Sequence, residues 1–87
     1  PDQAQIKLTG RVIRQPYLKA SKQIIDVDGF LIKTDPFPVY FYGQKLIVVG
    51  KIKKRVINRF KTEFIFYYPH IRSVEEKSTL ANKTNLV

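Results

Sequence analysis

The chain has no cysteine, no methionine and no tryptophan, and only four glycines in 87 residues. Without cysteine there are no disulfides, no thiol nucleophile and no cysteine-type zinc site, and the absence leaves the redox compartment open. No stretch approaches the roughly 18 to 20 consecutive apolar residues that span a bilayer as a helix, and no signal-peptide pattern opens the chain. Acids are scarce as well. Seven Asp and Glu stand against sixteen Lys and Arg, for a formal charge of +9 and a pI near 10. That balance points to a polyanionic partner, such as nucleic acid or an anionic membrane surface.

What is present suits one small domain. Apolar residues make up 44% of the chain, and six Phe with five Tyr supply bulk for a core without covalent staples. The start at Pro-Asp-Gln and the polar end lead us to expect an excised domain of a longer chain, with a folded unit over 1–77 and a tail or linker over 78–87.

Period-2 alternation dominates. Ile6, Leu8, Gly10 and Val12 share one parity and Lys7, Thr9 and Arg11 the other, which predicts a half-buried first strand with a bulge or bend at Gly10. Pro16 ends that pairing or sits at an edge. Residues 23–27 and 30–34 flank Asp28-Gly29, a dipeptide suited to a type I′ turn, and so predict a hairpin of strands two and three. Asp35-Pro36-Phe37-Pro38 cannot continue a ladder, so a loop leads to Tyr40-Phe41-Tyr42 and a turn at Gly43-Gln44-Lys45. Residues 46–55 predict strand four, apolar on both faces until Lys51 and therefore fully buried at first. After a turn at Asn58-Arg59, residues 61–68 predict strand five, Pro69 ends it, and 70–74 continue extended. From Glu75 the chain becomes polar and helix-compatible.

The expected fold is all-β: a five-stranded OB-fold barrel, with an SH3-like barrel as the alternative. The long first strand with its glycine and the connection of about ten residues between strands three and four favour the OB arrangement.

Catalytic chemistry finds little to work with. His70 is the one histidine and stands between Pro69 and Ile71, without nucleophile-base or metal-ligand spacing. Asp26-Val27-Asp28-Gly29 lacks the ligand ladder and terminal Glu of a calcium loop and is explained by the turn. Glu75-Glu76 are adjacent, so in an extended chain they point apart. The expectation is a binding module, not an enzyme, with no cofactor and no metal.

The informative feature is a basic run. Lys51, Lys53, Lys54, Arg55, Arg59 and Lys61 fall within eleven residues that contain no acid, across the end of strand four, its turn and the start of strand five. Such a prong can follow a phosphate backbone and displace its counterions. Rings interleave with the charge. Most are expected in the core, while Tyr17, Tyr40, Tyr42 and Tyr67 are the better candidates for exposed stacking surfaces, because a hydroxyl tolerates water. Lys7, Thr9 and Arg11 on strand one, Arg14 beyond it and Lys33 on strand three would extend the positive surface if the fold brings them together.

The segments Leu8-Thr9-Gly10-Arg11-Val12, Tyr42-Gly43-Gln44-Lys45-Leu46-Ile47-Val48-Val49-Gly50-Lys51-Ile52 and Pro69-His70-Ile71 resemble the amino-terminal OB domain of the ComEC family, the membrane channel proteins of natural transformation. The likeness covers roughly residues 6 to 75. The family pattern is a "GxV" first strand, a "YGDxVxVxGxL" fourth strand and a closing strand; Gln44 stands where the pattern has an acid. Gly10, Gly43 and Gly50 match structural positions, so the likeness carries fold rather than a binding site. Related glycine-valine patterns occur in OB domains of tRNA-binding and nuclease-associated modules. The channel helices and the metallo-β-lactamase-like nuclease domain of many members are not in this chain.

The resemblance implies a domain outside the cytoplasmic membrane, carried by a membrane-embedded parent, that binds incoming DNA, single- or double-stranded, without sequence specificity. The isolated domain is expected to be a monomer. The alternatives are a structural or lipid-facing barrel beside a channel and a soluble OB-fold nucleic-acid binder.

Overall fold

The computed structural model describes residues 5–75; the 78–87 tail, Glu76 and the helix-compatible end of the chain lie outside them. The described residues form seven strands and no helix: β1 (Gln5–Arg11), β2 (Tyr17–Lys19), β3 (Lys22–Val27), β4 (Phe30–Thr34), β5 (Lys45–Asn58), β6 (Lys61–Tyr67) and β7 (His70–Ser73). The all-β class is as the alternation requires.

Pairing runs β1-β5-β6-β4-β3-β2, and β7 adds to the first half of β5. Neighbours are antiparallel except β4 and β6, which run parallel with Leu31 opposite Ile65 and Ile32 opposite Phe66. From β3 the pairing returns to the end of β1 through one antiparallel bridge between Val12 and Val27. Ile13 N–H donates to Asp26 O at 2.9 Å and Asp28 N–H to Arg11 O at 3.1 Å across it. The fourteen-residue β5 serves two sheets, pairing with β1 and β7 through its first half and with β6 through its second.

The core lies inside this curl. Val12, Ile25, Val27, Ile32, Leu46, Val48 and Phe66 are fully buried, with Leu8, Phe30, Ile52 and Ile71 packed against them. They share one parity on each strand, so the alternation that marks the strands also selects the core. Burying Phe66 alone withdraws a large ring from water, a gain on the order of 2 kcal/mol.

Several expectations are corrected. Two further strands exist, β2 and β7, each short and each added to a longer partner. Strand four extends to Asn58 because Val56 and Asn58 still pair with Thr62 and Lys61, which moves the turn to Arg59-Phe60. The first half of β5 is fully buried on one face only; Ile47 and Val49 on the other are half-buried. Gly10 makes no bulge, since its register with Leu46 is unbroken, and the irregularity falls instead between Val56 and Asn58. The need for glycine at position 10 is steric: a Cβ there would collide with the Asp28 carboxylate, which accepts a hydrogen bond from Arg11 N–H.

The Asp28-Gly29 turn forms as expected, with φ of 50° and 95° and Gly29 N–H donating to Asp26 Oδ1 at 2.8 Å. A second turn of the same hand joins β2 to β3 through Ala20 and Ser21, both at positive φ. The loop after β4 is organised by one buried side chain. Gln23 Nε2 donates to Pro38 O at 2.9 Å and to Asp35 O at 3.2 Å, and Gln23 Oε1 accepts from Tyr40 N–H at 3.0 Å.

Candidate nucleic-acid interface

Strand alternation sends one set of side chains inward and the other out, and on β2, β3, β4, β6 and the second half of β5 the outward set converges. Register places Tyr17, Ile24, Lys33 and Tyr67 in one cross-strand row. Asp26, Leu31, Ile65 and Lys53 form the next, and Arg55 faces Glu63 beyond it. Strands about 4.8 Å apart bring such residues into side-chain contact range.

The rows floor a groove. Ile65 is buried and Ile24 and Leu31 are half-buried although they point away from the core, because β2 flanks them on one side and the β5–β6 hairpin on the other. Tyr17, Lys19, Lys33, Arg55 and Tyr67 form its margins. A second hollow shares Tyr17, Ile24, Leu31 and Glu63 with the first and continues toward Arg14, Asp26 and Lys61, so the depression crosses the whole face.

Its charge is lopsided. The two acids are each engaged: Asp26 Oδ2 lies 3.3 Å from Arg14 Nε, and Glu63 Oε2 lies 3.9 Å from Lys61 Nζ. Among the described residues Lys19, Lys33 and Arg55 have no acidic partner, so their charge is available to a ligand. Lys53 Nζ stands 6.0 Å from the centre of the Tyr67 ring, a cation–π approach that orients the ring at the groove margin. At the β2 end, Lys22 donates to Asp35 Oδ1 at 3.1 Å and stands 5.2 Å from the centre of the Tyr68 ring. The hydrogen bond to Asp35, followed by that to Tyr68, raises the lysine above its ordinary value. The apolar floor with cationic and aromatic margins is chemically suited to unstacked bases whose phosphates lie along the rim.

Of the residues expected from the sequence, Lys33, Arg55, Lys61 and Tyr67 line the groove, and Lys53 stands against Tyr67 beside it. Lys51 shares their side of β5, one step earlier, opposite Gln5. Lys54 is on the reverse of the hairpin, opposite Phe64, and Arg59 is at the hairpin turn beside Phe60. Arg14 joins the groove through Asp26.

Arg11 and Tyr42 do not join it. Arg11 pairs with Lys45 at the start of β5 and its Nη1 donates to Gly43 O at 3.0 Å, with Tyr42 in the same turn. Ten residues of β5 separate Lys45 from Arg55, up to about 33 Å along an extended strand. Thr9 opposes Ile47 on the same half of the molecule, and Lys7 lines a separate hollow with Val49, His70 and Arg72. Tyr40 is no stacking platform: it is buried in the core, and loss of hydration pushes its hydroxyl pKa up.

The charge run does not reveal Lys19, Ile24 and Leu31, which complete the groove. Their one signal is the parity they share with Tyr17 and Lys33 across three strands. Comparison with family models, with curated proteins and with solved structures yields no match, so the assignment of this face rests on its own geometry.

Proposed function

We propose that this chain is a non-enzymatic OB-type module that binds single-stranded DNA, without sequence specificity, along the groove between β2 and the β5–β6 hairpin. The observation that carries the reading is the pair of cross-strand rows. They set an apolar floor of Ile24, Leu31 and Ile65 between Tyr17 and Tyr67, with Lys19, Lys33, Lys53 and Arg55 alongside. A duplex presents only its phosphates to such a face, whereas a single strand can also lay its bases on the floor and rings. The OB assignment is supported by the parallel β4–β6 pairing and by the return of the pairing path to β1 at Val12 and Val27, neither of which a simple meander supplies. The resemblance to ComEC proteins supports placing the module in a membrane-embedded DNA-uptake parent, on the extracytoplasmic side.

Titrating a labelled oligothymidylate and a duplex of equal length by fluorescence anisotropy, at several salt concentrations, tests the proposal. Four groove cations give an expected slope of log affinity against log salt of about −3 for the single strand. Tighter binding of the single strand than of the duplex at every salt concentration is expected. Binding that salt leaves unchanged, or a preference for the duplex, overturns the reading.

A further inference from the structure

The β5–β6 hairpin has two unlike sides. Lys53 and Arg55 face the groove side, while Lys54 and Val56 face the reverse, opposite Phe64 and Thr62. On that reverse side the Phe64 ring is 5.9 Å from Phe30, whose ring is 6.4 Å from the buried Phe66. A strip of apolar side chains therefore leaves the core and runs outward along the hairpin. It ends in water at Val56, which is 63% exposed, and beyond it Ile57 at the strand irregularity and Phe60 in the turn are 43% and 89% exposed.

The end of the strip is built, not frayed. The irregularity between Val56 and Asn58 turns the strand locally, and Asn58 Oδ1 accepts Phe60 N–H at 2.8 Å, fixing the turn that projects Phe60. Lys54 and Arg59 stand around this apex, Arg55 and Lys61 belong to the groove margin, and the Arg59 guanidinium lies 5.9 Å from the centre of the Phe60 ring. No acid occurs from Lys51 to Lys61.

From this apex we infer a second binding surface, distinct from the groove: the hairpin tip inserts Val56, Ile57 and Phe60 into the interface of an anionic bilayer, with the surrounding cations at the headgroup phosphates. The ordering of the chemistry along the hairpin matches that of the bilayer. An apolar apex reaches the acyl boundary while a cationic collar remains at the level of the anionic headgroups. A nucleic acid satisfies the collar, but the aliphatic Val56 and Ile57 have no π face to stack on its bases. A projecting tip, moreover, needs a medium that closes around it, which fluid lipid provides.

The chain has no tryptophan, so Phe60→Trp introduces a single reporter at a position whose exposure makes the exchange harmless to the fold. Vesicles of phosphatidylcholine with phosphatidylglycerol should shift its emission to the blue, and brominated acyl chains should quench it; phosphatidylcholine alone should do neither. The double variant Val56→Ser, Phe60→Ser should lower partitioning into anionic vesicles by at least about tenfold, as expected from the apolar area withdrawn. Oligothymidylate binding should be unchanged, because the groove lies on the other side. A reporter unmoved by anionic vesicles, or partitioning indifferent to the double variant, overturns the inference. So does a blue shift elicited by the oligonucleotide in place of vesicles, which would make the tip a wedge for bases. Failure of oligothymidylate to bind the unmodified chain bears on the groove alone.

Discussion

Replacing Gln23 by Leu keeps nearly the same side-chain size while deleting every hydrogen bond that the Gln23 side chain makes to the 35–40 loop. Gln23 is 3% exposed. Its Nε2 bonds to Pro38 O and Asp35 O at 2.9 and 3.2 Å, and its Oε1 receives Tyr40 N–H at 3.0 Å. In the variant the Tyr40 N–H is left buried beside a core ring, at a cost of about 1–3 kcal/mol, and the carbonyls of the loop lose a donor that water replaces only in part. The expected loss is about 2–4 kcal/mol, large against the 5–15 kcal/mol by which small domains are stable. With an m-value near 1 kcal/mol/M for a chain of this size, the urea midpoint should fall by roughly 2 M or more. Hydrogen exchange at the Tyr40 amide should accelerate by a comparable free energy, measured in the same buffer. A Gln23→Leu variant within about 0.5 kcal/mol of the parent, with Tyr40 still protected, refutes the claim that this side chain organises the loop.

Stability should also fall at alkaline pH. Burial raises Tyr40 above 10.0, and the Asp35 hydrogen bond raises Lys22 above 10.5. Both groups therefore contribute stability that is intact below about pH 10 and lost as pH rises through their raised folded values. Tyr40→Phe should flatten the decline of the urea midpoint above pH 10, and an unchanged slope would contradict the assignment. Gly50→Ala should destabilise by about 1–3 kcal/mol in urea unfolding, because the added Cβ would stand 2.8 Å from Pro69 Cβ and 3.2 Å from its Cα at the β6–β7 junction. A neutral result would mean that the junction yields at no cost.

How far the sequence discloses this fold depends on the range of the interaction that decides each element. The β3–β4 hairpin is legible because Asp28-Gly29 itself favours positive φ. The β2–β3 turn uses Ala20-Ser21, which has no such preference, so β2 stays hidden and with it one wall of the groove. Tyr40 resembles Tyr42 in sequence; what buries the one and exposes the other is Gln23, seventeen residues away. The basic run from Lys51 to Lys61 is plain, but its division into a groove side with Lys53 and Arg55 and a reverse with Lys54 follows from the register with β6. Arg11 shares a charge with the run and nothing else, because β1 pairs with the far half of β5. Gly10 signals a constraint correctly; its partner, the Asp28 carboxylate, is fixed only by the bridge that joins β1 to β3.

The proposed nucleic-acid surface is one face of the curled sheet and not the other. Two variants of equal charge decide it by salt-dependent anisotropy with oligothymidylate: Lys33, Lys53 and Arg55 changed to Gln, and Lys7, Lys45 and Arg72 on the β1-β5-β7 side changed to Gln. The first should lose about 2 from the magnitude of the salt slope and the second should retain the parent slope. Equal losses in the two variants, or a loss confined to the second, would contradict it.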